Sequence, residues 1–144
     1  MIVRELQQSD YVQYLALINE FRPTSFTESQ FQQVLPQIQQ SSKIWVLEHE
    51  GELIATATVQ YETKFIFNIC KMAHVEDVCV KESFRKHGLG KKIIHHCVED
   101  ARREGAYKIT LDCADNTIPF YRACGFETRG TQMTILLKDP NESR

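Results

Sequence analysis

The sequence predicts a mixed sheet in an α/β (α+β) domain, with about six strands and helices interspersed among them. Three observations lead there: short β-branched stretches recur along the chain, helix-spaced apolar stretches separate them, and both hairpin turns and strand-to-helix crossovers connect them. At 144 residues, one domain with one sizeable core is expected.

Ile2 to Leu6 reads as a first strand, and Ser9 or Asp10 as the cap of a helix carrying Val12, Leu15, Leu17, Ile18 and Phe21. Phe21 to Phe26, with Pro23, favours a loop, and Thr27 to Gln30 has the capping-box pattern that opens a second helix, which Pro36 should kink or shorten. Lys43 to His49 and Glu52 to Tyr61 form a hairpin turned at Glu50-Gly51, with Trp45 packing beneath it. Lys64 to Asn68 either extends that strand or turns. Met72 to Val80 is a strand, Gly88 to Arg103 a helix, Lys108 to Cys113 a strand and Asn116 to Cys124 a short helix. Phe126 to Leu137 should supply a last strand, and residues 139–144 a frayed tail.

Composition removes several classes of function. The 17 Lys+Arg and 19 Asp+Glu leave a net charge of −2, with no whole-chain field for nucleic acid. Cys70, Cys79, Cys97, Cys113 and Cys124 are odd in number and lack a C-x-x-C pair, so reduced thiols in a cytoplasmic compartment are expected. No apolar run approaches the roughly 20 residues of a membrane span, so neither anchor nor signal peptide is expected. His87, His95 and His96 lack the i,i+4 spacing of helical metal ligands, and surface or helix roles are assigned to them.

The most informative stretch runs strand, basic glycine loop, helix: Val75-Glu76-Asp77-Val78-Cys79-Val80, then Arg85-Lys86-His87-Gly88-Leu89-Gly90-Lys91. Gly88 and Gly90 let backbone amides approach a ligand, a helix start favours anions, and Arg85, Lys86 and Lys91 add charge, so a phosphate or pyrophosphate fits. The spacing is neither a P-loop nor a dinucleotide fingerprint, and a tight turn with solvated basic side chains is the competing role. As consecutive strand residues, Glu76 and Asp77 should face opposite sides of the sheet.

Arg85 to Gly90 follows the [Q/R]-x-x-G-x-[G/A] pattern by which the chain resembles the GNAT superfamily of N-acetyltransferases. His74 to Val78, Tyr107 to Cys113 and Phe120 to Phe126 place the resemblance with the glucosamine 6-phosphate N-acetyltransferases, strongest over His74 to Phe126. It implies one acetyltransferase domain over residues 1–138, a mostly antiparallel sheet, and direct transfer from acetyl-CoA, without a metal, to the 2-amino group of glucosamine 6-phosphate on the route to UDP-N-acetylglucosamine.

By the same resemblance, Val78, Cys79 and Val80 hold the pantetheine arm, and Arg85, Lys86, His87, Gly88, Leu89, Gly90 and Lys91 cradle the pyrophosphate, with Asn116, Tyr121 and Arg122 completing the acetyl-CoA contacts. Glu76, Asp77 and Val78 position the sugar. Glu76, Asp77 or a water deprotonates its ammonium, and Asp112 lies near the reacting amine unless it caps the following turn. Tyr121 donates to the departing sulfur, a step suited to a phenol of reference pKa about 10 facing a thiolate of about 8.5. The side chain of Cys79 reads as a small core filler.

Lys64, Phe65, Ile66 and Phe67 match a loop lining the sugar site, while Tyr107 and Lys108 match positions that reach the sugar phosphate from a partner subunit, implying a homodimer. The chain departs from the pattern at Leu136, where the relatives carry a basic residue, and Arg22, Arg129 or Lys138 are the candidate replacements. Two alternatives remain: acetylation of another small amine or a peptide N-terminus, and a catalytically silent CoA-binding module. Retention of Tyr121 and Asp112 speaks against the second.

Overall fold

A computed structural model describes residues 1–139, so all of the expected tail but Asp139 lies outside the described residues. The chain divides into two compact units, Met1–Leu111 and Asp112 onward. In the first unit, β1 (Ile2–Glu5), β2 (Ser42–His49), β3 (Glu52–Lys64), β4 (Cys70–Val80) and β5 (Lys108–Leu111) form one sheet in that order. Every pairing is antiparallel except β4 with β5, which is parallel.

Helices α1 (Tyr11–Phe21) and α2 (Glu28–Gln39) pack on one face of this sheet and α3 (Leu89–Arg103) on the other. Under α1 and α2 the core gathers Leu6, Tyr14, Leu17, Phe31, Leu35, Ile44, Val46 and Cys79. Each large aliphatic side chain buried there contributes about 1.5–3 kcal/mol. On the other face Trp45 stands edge-on to His96 of α3, ring centroids 4.3 Å apart. Buried Asp100 of α3 accepts from the Tyr61 hydroxyl at 2.7 Å and from Lys43 Nζ at 3.1 Å.

Local chemistry explains the helix starts. The side chain of Thr27 accepts from the Gln30 amide while Gln30 Oε1 accepts from the Thr27 amide, the reciprocal box its sequence predicts. Asp10 does not cap α1 with its side chain. Its carboxylate instead accepts from the Gln7 amide at 2.7 Å and from Arg4 at 2.8 and 2.9 Å.

Pro36 does not shorten α2, which continues through it to Gln39. Proline removes the amide that Gln32 carbonyl would accept from. Gln8 Nε2 supplies the missing donor to that carbonyl at 3.2 Å. The β2–β3 hairpin turns at Glu50 (φ 51°) and Gly51 (φ 77°), both left-handed as a two-residue loop requires.

The second unit holds a 3₁₀ turn (Asp115–Thr117), α4 (Ile118–Ala123) and a segment without helix or strand. Phe126 to Leu137 is therefore not a strand, and the sheet has five strands rather than six. Alternating apolar residues make a strand only when an edge pairs with them. Here Met133 and Leu136 stand 92% and 77% exposed.

Candidate active site

The decisive local feature is a bulge in β4. Thr58 of β3 pairs with Glu76 and Thr56 with Cys79, so Asp77 and Val78 together oppose Ala57 alone. Asp77 takes the left-handed conformation, φ 53°, one of those by which a strand accommodates an extra residue. The alternation of side chains resets there. Ile44, Thr58 and Glu76 are register partners in line across three strands, as are Val46, Thr56 and Cys79. Ile44, Val46 and Cys79 belong to the core under α1 and α2, so Glu76 lies on that face too.

Asp77 lines a cavity of about 410 Å³ with Tyr14, Ile18, Phe31 and Ile44, on the same face. The expectation that Glu76 and Asp77 face opposite sides is thus corrected: the bulge brings both exposed carboxylates to one face. Burial pushes the Tyr14 hydroxyl up to about 12, and the Asp77 charge adds to the shift. Arg22 lines the same cavity, its guanidinium 5.3 Å from the Phe21 ring centroid.

Further along that face, a more polar pocket of about 310 Å³ is lined by Gln60, Glu62, Lys64, Ile66, His74, Lys108 and Thr110. It gathers three residues expected at the sugar site, Lys64, Ile66 and Lys108, from one chain. Phe65 projects 91% exposed, and Phe67 stacks on Tyr107 with centroids 4.5 Å apart. These residues open the β3–β4 turn, where Phe67, Asn68 and Ile69 all have positive φ.

Among the described residues β5 pairs only with Met72 to Val75, leaving β4 from Glu76 to Val80 outside that ladder. Val78 to Val80 therefore present a strand edge to which an extended amide-bearing chain can add. The Cys79 side chain is buried, its Sγ 3.7 Å from the Leu17 carbonyl, consistent with a core filler. Arg85 Nε donates to the Val80 carbonyl at 3.2 Å, tying the following loop to the strand end.

Lys86 (φ 67°) and Gly88 (φ 76°) are left-handed, and α3 begins at Leu89, whose side chain is buried. His87 completes the turn, Gly90 and Lys91 lie in the first turn of α3, and a helix start offers amides without intrahelical partners. A Cβ on Gly88 would meet nothing within 4 Å, so its positive φ rather than crowding favours glycine there. The open edge can take the amide-bearing pantetheine arm of an acyl-CoA, and the basic helix start its pyrophosphate.

In the second unit, burial raises the Tyr121 pKa, with Cys113 and Cys124 adding to the shift, so the phenol stays protonated near neutrality. Phe120 and Phe126 pack edge-on to its ring at 4.9 and 6.1 Å. Asp112 is exposed, and the N-cap of the 3₁₀ turn is Ala114. Asn116 lies within that turn, and Arg122 in the last turn of α4. His74, Thr110 and Tyr14 belong to the face that carries Glu76 or Asp77 without having been singled out. For His74 the signal was present, since it stands two residues before Glu76 on a strand.

The sequence pattern of the acetyltransferase (GNAT) family matches residues 3–126. The chain belongs to the GNAT acetyltransferase family. It is an acetyl-CoA-dependent N-acetyltransferase, built on the mixed sheet that this family shares. Glucosamine 6-phosphate N-acetyltransferase 1 of Dictyostelium discoideum is 33% identical over 132 residues, covering 88% of this chain and 84% of that protein. The crystal structure of glucosamine-6-phosphate N-acetyltransferase from Arabidopsis thaliana superposes with a TM-score of 0.91 at 32% identity, over 95% of this chain and 98% of that one. A Clostridium acetobutylicum acetyltransferase solved with acetyl-CoA shares the fold, with a TM-score of 0.74 at 14% identity over 94% of this chain and 96% of that one.

Proposed function

We propose that this acetyltransferase transfers the acetyl group of acetyl-CoA to the 2-amino group of glucosamine 6-phosphate, as a single domain over residues 1–138. The observation that carries the reading is the β4 bulge. It lies just beyond the last β4–β5 pair, where β4 keeps the free edge an acyl arm needs, and it turns Glu76 and Asp77 to the face that also holds Lys64. The names of the relatives support the choice of sugar.

In this mechanism the edge of Val78, Cys79 and Val80 holds the pantetheine arm, while Arg85 to Lys91 bind the pyrophosphate at the start of α3. The thioester supplies an activated acyl group. Glu76 and Asp77 fix the amino sugar, and one of them, directly or through water, or Asp112, takes the ammonium proton so that a neutral amine attacks. Tyr121, held protonated by its burial, donates to the departing sulfur.

The enzyme acts as a homodimer in the cytoplasm. The exposed Phe65, Ile66 and Tyr107 supply apolar surface for a second copy. Tyr107 and Lys108 then reach the partner's sugar phosphate. No described helix is long and apolar enough to cross a membrane.

A second reading has one observation in its favour. Leu136 stands where a basic residue is expected, and the cavity beside Asp77 is largely apolar, which suits a less polar amine. Thiol release measured with glucosamine 6-phosphate, glucosamine and peptide amines decides between them. A kcat/KM for the phosphosugar at least about tenfold above glucosamine is expected from one charge-assisted phosphate contact. Equal values overturn the phosphosugar assignment. Gly88→Asp, which puts a carboxylate at the start of α3, should weaken acetyl-CoA binding about 5- to 30-fold by calorimetry. Undiminished affinity removes the loop from the site.

A further inference from the structure

Glu76 does not stand alone on its face. His74, two residues earlier, shares that face, and parallel pairing sets Thr110 of β5 directly opposite His74. The Thr110 hydroxyl lies 2.8 Å from His74 Nδ1. The other ring nitrogen, Nε2, lies 4.0 Å from Glu76 Oε1, a gap that a small rotation of the exposed carboxylate closes. His74 and Thr110 line the polar pocket that holds Lys64 and Lys108, and Glu76 stands next to His74 on the same face.

A histidine ring transmits orientation, because the bond made by one nitrogen fixes what the other presents. When Nδ1 accepts from a hydroxyl, Nε2 carries the hydrogen and faces the carboxylate as a donor. We infer that Thr110 and His74 form a positioning pair that aims the Glu76 carboxylate at the amino sugar, Thr110 fixing the ring through Nδ1 and His74 holding the acid through Nε2. This rests on the placement of Glu76 in the acceptor site proposed above, and adds two residues to it. His74 acts through Glu76 and does not itself touch the reacting atoms.

The simple alternative is a staple, in which the Thr110–His74 bond merely fastens β5 to β4. Conservative variants separate the two. A glutamine at 74 places its amide where Nε2 stood and can still hold Glu76, whereas an asparagine reproduces only the Nδ1 position facing Thr110.

The experiment is a steady-state series with glucosamine 6-phosphate and acetyl-CoA on wild type, H74A, H74Q, H74N, T110V, E76Q and H74A/E76Q, with melting curves for each. H74A should lower kcat/KM for the sugar about tenfold and leave the KM for acetyl-CoA unchanged. H74Q should recover to within about threefold of wild type and H74N should not, while T110V loses about threefold. The double variant should be no worse than E76Q alone, since His74 has no role once the carboxylate is gone. Additive losses, rescue by asparagine instead of glutamine, or an equal rise in the KM for acetyl-CoA overturns the pair as a positioning device. Wild-type turnover with a silent E76Q overturns it too while sparing the substrate reading. Absence of wild-type turnover with this sugar overturns the substrate reading itself.

Discussion

The two halves of β4 differ in one respect that governs everything around them. From Met72 to Val75 the strand is paired on both sides, with β3 and with β5, and Ala73 and Val75 are buried. From Glu76 to Val80 it is paired with β3 alone, and Asp77 breaks its alternation. The same backbone is sheet interior in one half and an edge in the other. The first half supplies rigidity, because each residue there is held by ladders and by side-chain packing. The second retains unpaired edge groups because β5 ends at Leu111, and the bulge at Asp77 sets its two acids on one face.

This contrast predicts that chemistry and stability separate along the strand. The largest effect belongs to the chemistry served by the open half. Tyr121→Phe should fold normally and lower kcat by about 10²- to 10⁴-fold, the usual cost of removing one positioned acid. A purified variant with the parental kcat shows that the hydroxyl has no part in sulfur departure and that Tyr121 is a packing residue.

In the closed half the effects reverse. Val75 is 3% exposed and pairs with Val59 and Leu111. Val75→Ala should cost about 2 kcal/mol in denaturant unfolding by leaving a cavity, with kcat/KM changed less than about threefold where the fold is intact. A large kinetic effect at full folding erases the distinction between the halves.

A smaller effect arises behind the sheet, at His96. Its burial, with Arg103 adding, lowers its pKa below the ordinary 6.5. The folded protein then keeps this imidazole neutral where the unfolded chain takes up a proton. The resulting stability is present above about pH 6.5 and is lost as pH falls through the folded value. His96→Gln should flatten this part of the melting profile between about pH 7.5 and 5.5, followed through Trp45 fluorescence, with turnover at pH 7.5 unchanged. An unchanged profile means that His96 contributes nothing to acid sensitivity.

Much of the fold was legible because its signals are local. The Thr27–Gln30 box, the Glu50-Gly51 turn and the glycine at the start of α3 each act within a few residues, and the structure places them as the sequence implies. The bulge was not legible. It sits at an aspartate rather than a glycine, and its existence depends on the register between Thr56 and Thr58 on another strand. The side on which Glu76 and Asp77 stand was misjudged for that reason. The last strand failed differently: 126–137 has the right alternation, but alternation says nothing about which edge will receive it. Among the candidate residues, the loop from Arg85 to Lys91 was readable from spacing, whereas the approach of Thr110 to His74 needed the parallel pairing of β4 with β5.

The helix α2 carries a consequence for how this sequence can change over time. Pro36 strips the Gln32 carbonyl of its helical donor, and Gln8, far away in the chain, replaces it. The two residues are therefore an epistatic pair. While proline is present, losing Gln8 leaves that exposed carbonyl to solvent alone; once an alanine restores the helical amide, Gln8 becomes free to drift. The order in which the two substitutions arise decides whether the first is costly or silent, so a lineage leaves this arrangement most easily through position 36.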